Sequence, residues 1–193
     1  MTEHQEPSAA LTPVTVSEGD VLLRLASPED IPSMTRACQD PEMQRWTTIP
    51  VPYDVQHAQS FVARMVPLGP GWCLGRNPGW VISRVAEPRA YDGFLDLRLD
   101  ERASAEIGYS VAPWARGRGV ATTAVRLACR YAFEDAGLAR VYWYASVGND
   151  ASRRVAEKVG FRILPGVLRQ MLPTREGGRA DAWVGDLLPT DLK

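Results

Sequence analysis

The chain has 193 residues, 45% hydrophobic and 23% charged, which suits one sizeable domain with a true core and excludes wholesale disorder. Its formal net charge of −1 is too small to favour non-specific nucleic-acid binding, and no apolar run approaches the roughly 18 to 20 residues of a membrane-spanning helix. Three scattered cysteines (Cys38, Cys73, Cys129) and two histidines (His4, His57) argue against a disulfide framework, a metal site and a Ser-His-Asp hydrolase, and fit a reducing cytoplasm.

Residues 1–19 are polar, rich in Pro, Ser and Thr, and show neither hydrophobic periodicity nor the pattern of a secretory signal. They read as a flexible tail ahead of a single domain, 20–193. Residues 21–25 form a short apolar strand. Ser27 and Pro28 then start a helix that fades before Asp40-Pro41, because a residue preceding proline avoids helical geometry. Asp54 caps a second helix over 57–65, stopped by Pro67 and Gly69. Strands at 80–85, 94–99 and 105–111, joined by short turns, predict an antiparallel meander. After Pro113 the period becomes helical, with Val120, Ala124, Val125, Leu127, Ala128, Tyr131 and Ala132 on one stripe and Gly137 as a C-cap. The wholly apolar run 141–145 predicts a central strand, and Asn149 or Asp150 caps a helix that ends at Val159 before Gly160. Residues 161–164 and 182–188 supply the last strands. No repeat or linker divides the chain.

The most informative segment is the turn from the strand ending at Val111 into the helix near Val120. Its glycines, Gly117 and Gly119, free successive backbone N–H groups beside a helix N-terminus, an arrangement suited to phosphate. Four arginines (116, 118, 126, 130) and no acid lie between Pro113 and Phe133. A dinucleotide-binding turn is excluded by Thr122 at the third glycine position and Arg140 where an acid is needed, and no Walker-type loop occurs.

The R-x-x-G-x-A pattern from Arg116 to Ala121 resembles the acetyl-CoA pyrophosphate loop of the GCN5-related N-acetyltransferase (GNAT) superfamily. Glu106-Ile107-Gly108-Tyr109 precedes it, and Asn149-Asp150-Ala151-Ser152 and Lys158-Val159-Gly160-Phe161 follow, in that superfamily's order. Leu23-Arg24-Leu25, Gln39-Asp40-Pro41-Glu42, Arg45-Trp46-Thr47 and Asp181-Ala182-Trp183 are similar to the ribosomal-protein-alanine N-acetyltransferase branch. The resemblance spans roughly residues 21–188. It implies an α/β (α+β) fold with a mixed, mostly antiparallel sheet of six to seven strands. The sheet is splayed between the fourth (105–111) and fifth (140–146), and about four helices flank it. It also implies acetyl-CoA as co-substrate without a metal. Pantetheine lies along the backbone of Tyr109, Ser110 and Val111, and pyrophosphate on Arg116, Gly117, Arg118, Gly119, Val120, Ala121 and Thr122. Asn149 and Ser152 sit at the thiol end.

Direct attack of an amine on a thioester requires no enzyme nucleophile, but it does require a neutral amine and therefore a base. Glu106 is the candidate, and a mainly apolar cleft would push its carboxyl upward; a solvated strand glutamate is the plainer alternative. Ala156 replaces the tyrosine that many superfamily members use towards the thiolate, and Ser152 is the substitute implied by the branch, unless it only bonds its helix backbone. Asn149 is a helix cap, a pantetheine contact or both. Arg153 and Arg154 are placed for a CoA phosphate or for water, and Trp46, Trp72 and Trp80 for the acceptor side or the core. The acceptor is a protein N-terminal amine or a small-molecule amine such as a polyamine or aminoglycoside. A non-catalytic acyl-CoA sensor is the alternative of a different class, and a homodimer is compatible with the sequence.

Overall fold

Alternating apolar residues with short turns place consecutive strands side by side, and this meander forms the middle of the molecule. The structure is a computed structural model describing residues 14–65, 73–74, 77–100 and 102–193. Its strands are β1 (Val16–Glu18), β2 (Val21–Arg24), β3 (Cys73–Leu74), β4 (Asn77–Arg84), β5 (Gly93–Leu99), β6 (Ser104–Val111), β7 (Arg140–Ser146), β8 (Arg162–Ile163), β9 (Leu168–Pro173) and β10 (Arg179–Leu187). Its α-helices are α1 (Ile31–Cys38), α2 (Pro41–Trp46), α3 (Val55–Met65), α4 (Val120–Glu134) and α5 (Asp150–Val159). No helix among the described residues is long and apolar enough to cross a membrane.

The sheet runs β1-β2-β4-β5-β6-β7-β10-β8, with β3 on β4 and β9 on β10. Antiparallel pairing prevails, and β6–β7 is the parallel exception, joined by a helical crossover through α4. Ser104, Ala105 and Glu106 pair with Arg140, Val141 and Tyr142, and there the pairing stops although both strands continue. This is the splay expected between those two strands. The sheet exceeds the expected six to seven strands because short β1, β8 and β9 extend its ends.

Each face has its own helical cover. Ala105, Ile107, Val141, Trp143 and Ala145 pack with Ala124, Val125 and Ala128 of α4. On the other face Val81 and Phe94 meet Met34 of α1 and Ala58 and Val62 of α3, with the Phe61 ring edge-on to Phe94 at 4.9 Å. β4 is covered on both faces, so Trp80 is 0% exposed. Its ring meets Tyr131 edge-on at 5.2 Å and its Nε1 donates to the Val14 carbonyl at 3.0 Å. Trp80 therefore belongs to the core and not to an acceptor wall, and Trp72 lies outside the described residues.

Two local expectations are corrected. Val16–Glu18 pair with Val21–Leu23 of β2, so the end of the presumed tail belongs to the sheet; residues 1–13 lie outside the described residues. Asp40-Pro41 does stop α1, but it also starts α2: Asp40 Oδ2 accepts from the Met43 N–H at 2.9 Å and Pro41 takes the first helical position. The strand β9 was not foreseen, and Pro67 and Gly69 lie outside the described residues.

Candidate active site

β6 leads into α4 through residues 112–119. Gly117 and Gly119 have φ of +76° and +77°, the left-handed region that side chains disfavour. No atom lies within 4 Å of the position a Cβ would take at either residue. Glycine is required here by backbone conformation, and the turn faces open space. Gly119 caps α4 without a side-chain hydrogen bond, so the first N–H groups of the helix have no partner within it.

These groups form one end of a cleft of about 420 Å³, a size suited to a small-molecule group. β6 contributes Tyr109, Ser110 and Val111, which lie beyond the last residue paired to β7. Arg116, Gly117, Gly119, Val120, Ala121 and Thr122 contribute the turn, and Asn149 and Ser152 the far wall. Of the thirteen residues expected to bind the cofactor or to act in catalysis, the cleft thus gathers eleven. Arg118 is exposed and lies outside the lining, and so does Glu106.

The arginines are distributed differently from the field that the acid-free segment suggested. Arg116 Nη2 meets Asp40 Oδ2 at 2.5 Å, and its Nε donates to the Val111 carbonyl at 3.2 Å. Arg126 and Arg130 both pair with Glu18, whose carboxyl the Arg126 hydrogen bond holds below the usual range. Arg153 pairs with Glu157 at 2.9 Å and stacks over Trp183 at 4.9 Å. Arg154 and Lys158 do line the cleft, on the stripe of α5 that also carries Ala151 and Val155. That i, i+3, i+4, i+7 spacing was the available signal for Lys158.

α2 supplies the remaining wall through Glu42, Met43, Trp46 and Thr47. Trp46 Nε1 donates to Glu42 Oε1 at 2.6 Å, and the ring edge lies 3.7 Å from where a Gly148 Cβ would stand. Arg175, between β9 and β10, donates to the carbonyls of Gln44 and Thr47, holding the hairpin against the end of α2. His57, by contrast, is engaged with Asp54 at the start of α3 and lies outside the cleft.

At the α5 end, Asn149 Oδ1 accepts from the Ser152 N–H at 3.2 Å, the helix cap expected. Ser152 Oγ accepts from Trp143 Nε1 at 3.0 Å and lies 2.8 Å from the Tyr109 hydroxyl, which also donates to the Ser152 carbonyl at 3.0 Å. Burial pushes the Tyr109 phenol up to about 12, although its hydrogen bond with Ser152 opposes the shift. Tyr109 thus contributes a side chain as well as backbone.

Glu106 occupies the other face of β6, at the last residue paired with Tyr142. Its surroundings are charged and not apolar, as Arg98 Nη2 meets Glu106 Oε1 at 2.6 Å and Arg98 Nη1 lies 3.6 Å from Asp96 Oδ1. A Cβ on Gly108 would stand 2.8 Å from both Arg98 and Asp96, so glycine gives this cluster its place over the strand. Burial pushes the Asp96 carboxyl up, Arg98 pulls it down, and the Glu106 charge raises it further. Cys38 and Cys129 are buried, and among the described residues no group of three or more His, Cys, Asp or Glu could hold a metal.

Structures similar to this one include Mycobacterium smegmatis RimJ in complex with CoA-disulfide, at TM-score 0.78 and 24% identity, covering 93% of this chain and 90% of that one. RimL, described as a ribosomal L7/L12 alpha-N-protein acetyltransferase in complex with coenzyme A, aligns at TM-score 0.75 and 17% identity over 91% and 98% of the two chains. At these identities the likeness is one of fold. YdaF of Bacillus subtilis (strain 168), described provisionally as a ribosomal N-acetyltransferase, is 49% identical over 71 residues. That match covers 36% of this chain and 39% of the relative's length. Residues 20–162 match the family described as "Acetyltransferase (GNAT) domain", a span holding the meander, the turn with its glycines, and both Asn149 and Ser152. The chain belongs to the GNAT acetyltransferase family.

Proposed function

We propose that the protein moves the acetyl group of acetyl-CoA to a primary amine by direct attack, in the cytoplasm, as one domain over residues 20–193. The observation that carries this reading is the cleft itself: one wall is the stretch of β6 that β7 leaves unpaired, and its end is a helix N-terminus that no side chain caps. An extended pantetheine arm finds, along Tyr109, Ser110 and Val111, the edge of β6 that β7 does not cover, and the pyrophosphate finds N–H groups at 117–122. Arg116, Arg154 and Lys158 add positive charge along the same cleft. The N–H groups of β6 also stabilise the oxyanion that forms on the thioester carbonyl.

Glu106 receives the amine's proton where the strands part. Arg98 Nη2, 2.6 Å from Glu106 Oε1, holds that carboxylate in place. The nitrogen–carbon bond forms as the carbon–sulfur bond breaks, with the electron pair leaving on sulfur at the Asn149 and Ser152 end. Buried Cys38 and Cys129 fit a route without a cysteine acyl-enzyme. A peptide N-terminus is the favoured acceptor, the class named for RimL. α2 brings a single acid, Glu42, to the cleft, whereas a polycation would call for an acidic cluster.

The test is thiol release from acetyl-CoA across peptides with free N-termini, polyamines and aminoglycosides. Steady release with peptides is expected. Tight acetyl-CoA binding without turnover on any amine would replace this function with that of an acyl-CoA sensor.

A further inference from the structure

We propose that Tyr109 and Trp143 are positioning residues that prime the Ser152 hydroxyl to donate a hydrogen bond to the departing CoA sulfur. The inference rests on the acetyl-transfer reading and concerns the thiol end of the same cleft. Ser152 has one hydroxyl hydrogen, and its neighbours decide where it points. Trp143 Nε1 donates to Ser152 Oγ at 3.0 Å, and the indole is 1% exposed, so water offers it no competing partner. The Tyr109 hydroxyl donates to the Ser152 carbonyl at 3.0 Å, which leaves its oxygen, 2.8 Å from Ser152 Oγ, to accept the serine hydrogen. At rest the set is closed, and no hydrogen faces the cleft.

A sulfur anion opens it by two hydroxyl rotations. Ser152 turns its hydrogen to the sulfur, and Tyr109 turns its own from the Ser152 carbonyl to Ser152 Oγ. The serine oxygen then accepts two bonds while donating one, its full capacity, and each accepted bond strengthens the one donated. The proton stays on Tyr109, because burial holds that phenol in its neutral form. No proton crosses to sulfur: the carbon–sulfur pair leaves on sulfur and the amine's proton goes to the base.

The experiment reads the ionisation of the CoA thiol bound to the protein, by the ultraviolet absorbance of the thiolate against pH, in the wild type, Tyr109→Phe, Ser152→Ala, Ser152→Thr and the Tyr109→Phe/Ser152→Ala double variant. The bound thiol should ionise at lower pH than free CoA. Tyr109→Phe and Ser152→Ala should each raise that pH, Ser152→Thr should retain the shift, and Tyr109→Phe should add nothing once Ser152 is Ala. In turnover, Tyr109→Phe should lower kcat roughly three- to tenfold, the worth of one hydrogen bond, with KM for acetyl-CoA little changed. A thiol that ionises in the bound state as it does free, or a Tyr109→Phe effect as large in the Ser152→Ala background as in wild type, overturns the proposal. The titration needs only CoA binding, so a protein that binds CoA yet acetylates nothing would refute the transferase reading and leave this result readable.

Discussion

Asp40 joins two walls of the cleft and does two jobs at once, which its variants can separate. It caps α2 through the Met43 N–H, and it pairs with Arg116 of the turn before α4. Losing the cap costs about 1 kcal/mol. The ion pair, with side chains 17% and 36% exposed, adds about 0.2–1 kcal/mol. Asp40→Ala removes both, for a total of about 1–2 kcal/mol, or a melting temperature lower by roughly 2–8 °C in a chain of this size. Asp40→Asn keeps an acceptor for the Met43 N–H and loses only the charge, so it should cost less than about 1 kcal/mol. Burial pushes the Asp40 carboxyl up, but the hydrogen bonds from Arg116 and Met43 outweigh it and leave the folded value depressed. A depressed carboxylate contributes fully above its unfolded pKa of about 3.9 and loses its contribution as pH falls through the folded value. Scanning calorimetry from acid to neutral pH should therefore show wild type and Asp40→Asn converging below about pH 4. An Asn variant as unstable as the Ala variant, or a gap that widens in acid, would refute this division of roles.

Three further outcomes are expected. Glu106→Gln should lower turnover at neutral pH by about 10²–10⁴-fold, the span of general base catalysis, while acetyl-CoA affinity measured by calorimetry stays the same; unchanged turnover removes Glu106 from the mechanism. Trp80→Ala should cost about 3–5 kcal/mol in denaturant unfolding, as a buried aromatic, whereas Trp46→Ala, on the cleft wall, should raise KM with little loss of stability. Glu18→Gln should cost about 0.5–1 kcal/mol at neutral pH by losing its two arginines. Glu18 is depressed in the fold, so that difference is present above its unfolded value and should vanish in acid titrations of stability.

The parts of the fold written in local chemistry were legible in the sequence. Strict alternation located β5, the short turn after it located β6, the apolar run located β7, and Gly137 and Gly160 marked helix ends through the positive φ they adopt. The turn before α4 was legible because Gly117 and Gly119 serve the backbone conformation itself. What depended on distant partners was not. β1 is three residues long and is held by β2, and β9 is mostly exposed, so neither carries a hydrophobic period. α2, at six residues, is too short to display one. The arginines of α4 looked uncompensated because their acid, Glu18, lies 108 residues from Arg126 in sequence. Trp80 read equally well as wall or core, and burial of both faces of β4 decided it. At the site, the place of Tyr109 on the cleft wall was legible, but its hydroxyl contact with Ser152 across 43 residues was not.

The central claim is direct transfer from acetyl-CoA to an amine in this cleft. It is tested most directly by incubating the protein with isotopically labelled acetyl-CoA and a peptide bearing a free N-terminus, then reading peptide, protein and thiol together by mass spectrometry and thiol assay. The account predicts label on the peptide amine in equal amount to the thiol released, and none on the protein, with or without peptide. Label accumulating on the protein before it reaches the peptide, or acetyl-CoA bound and unchanged in the presence of every amine offered, would contradict it.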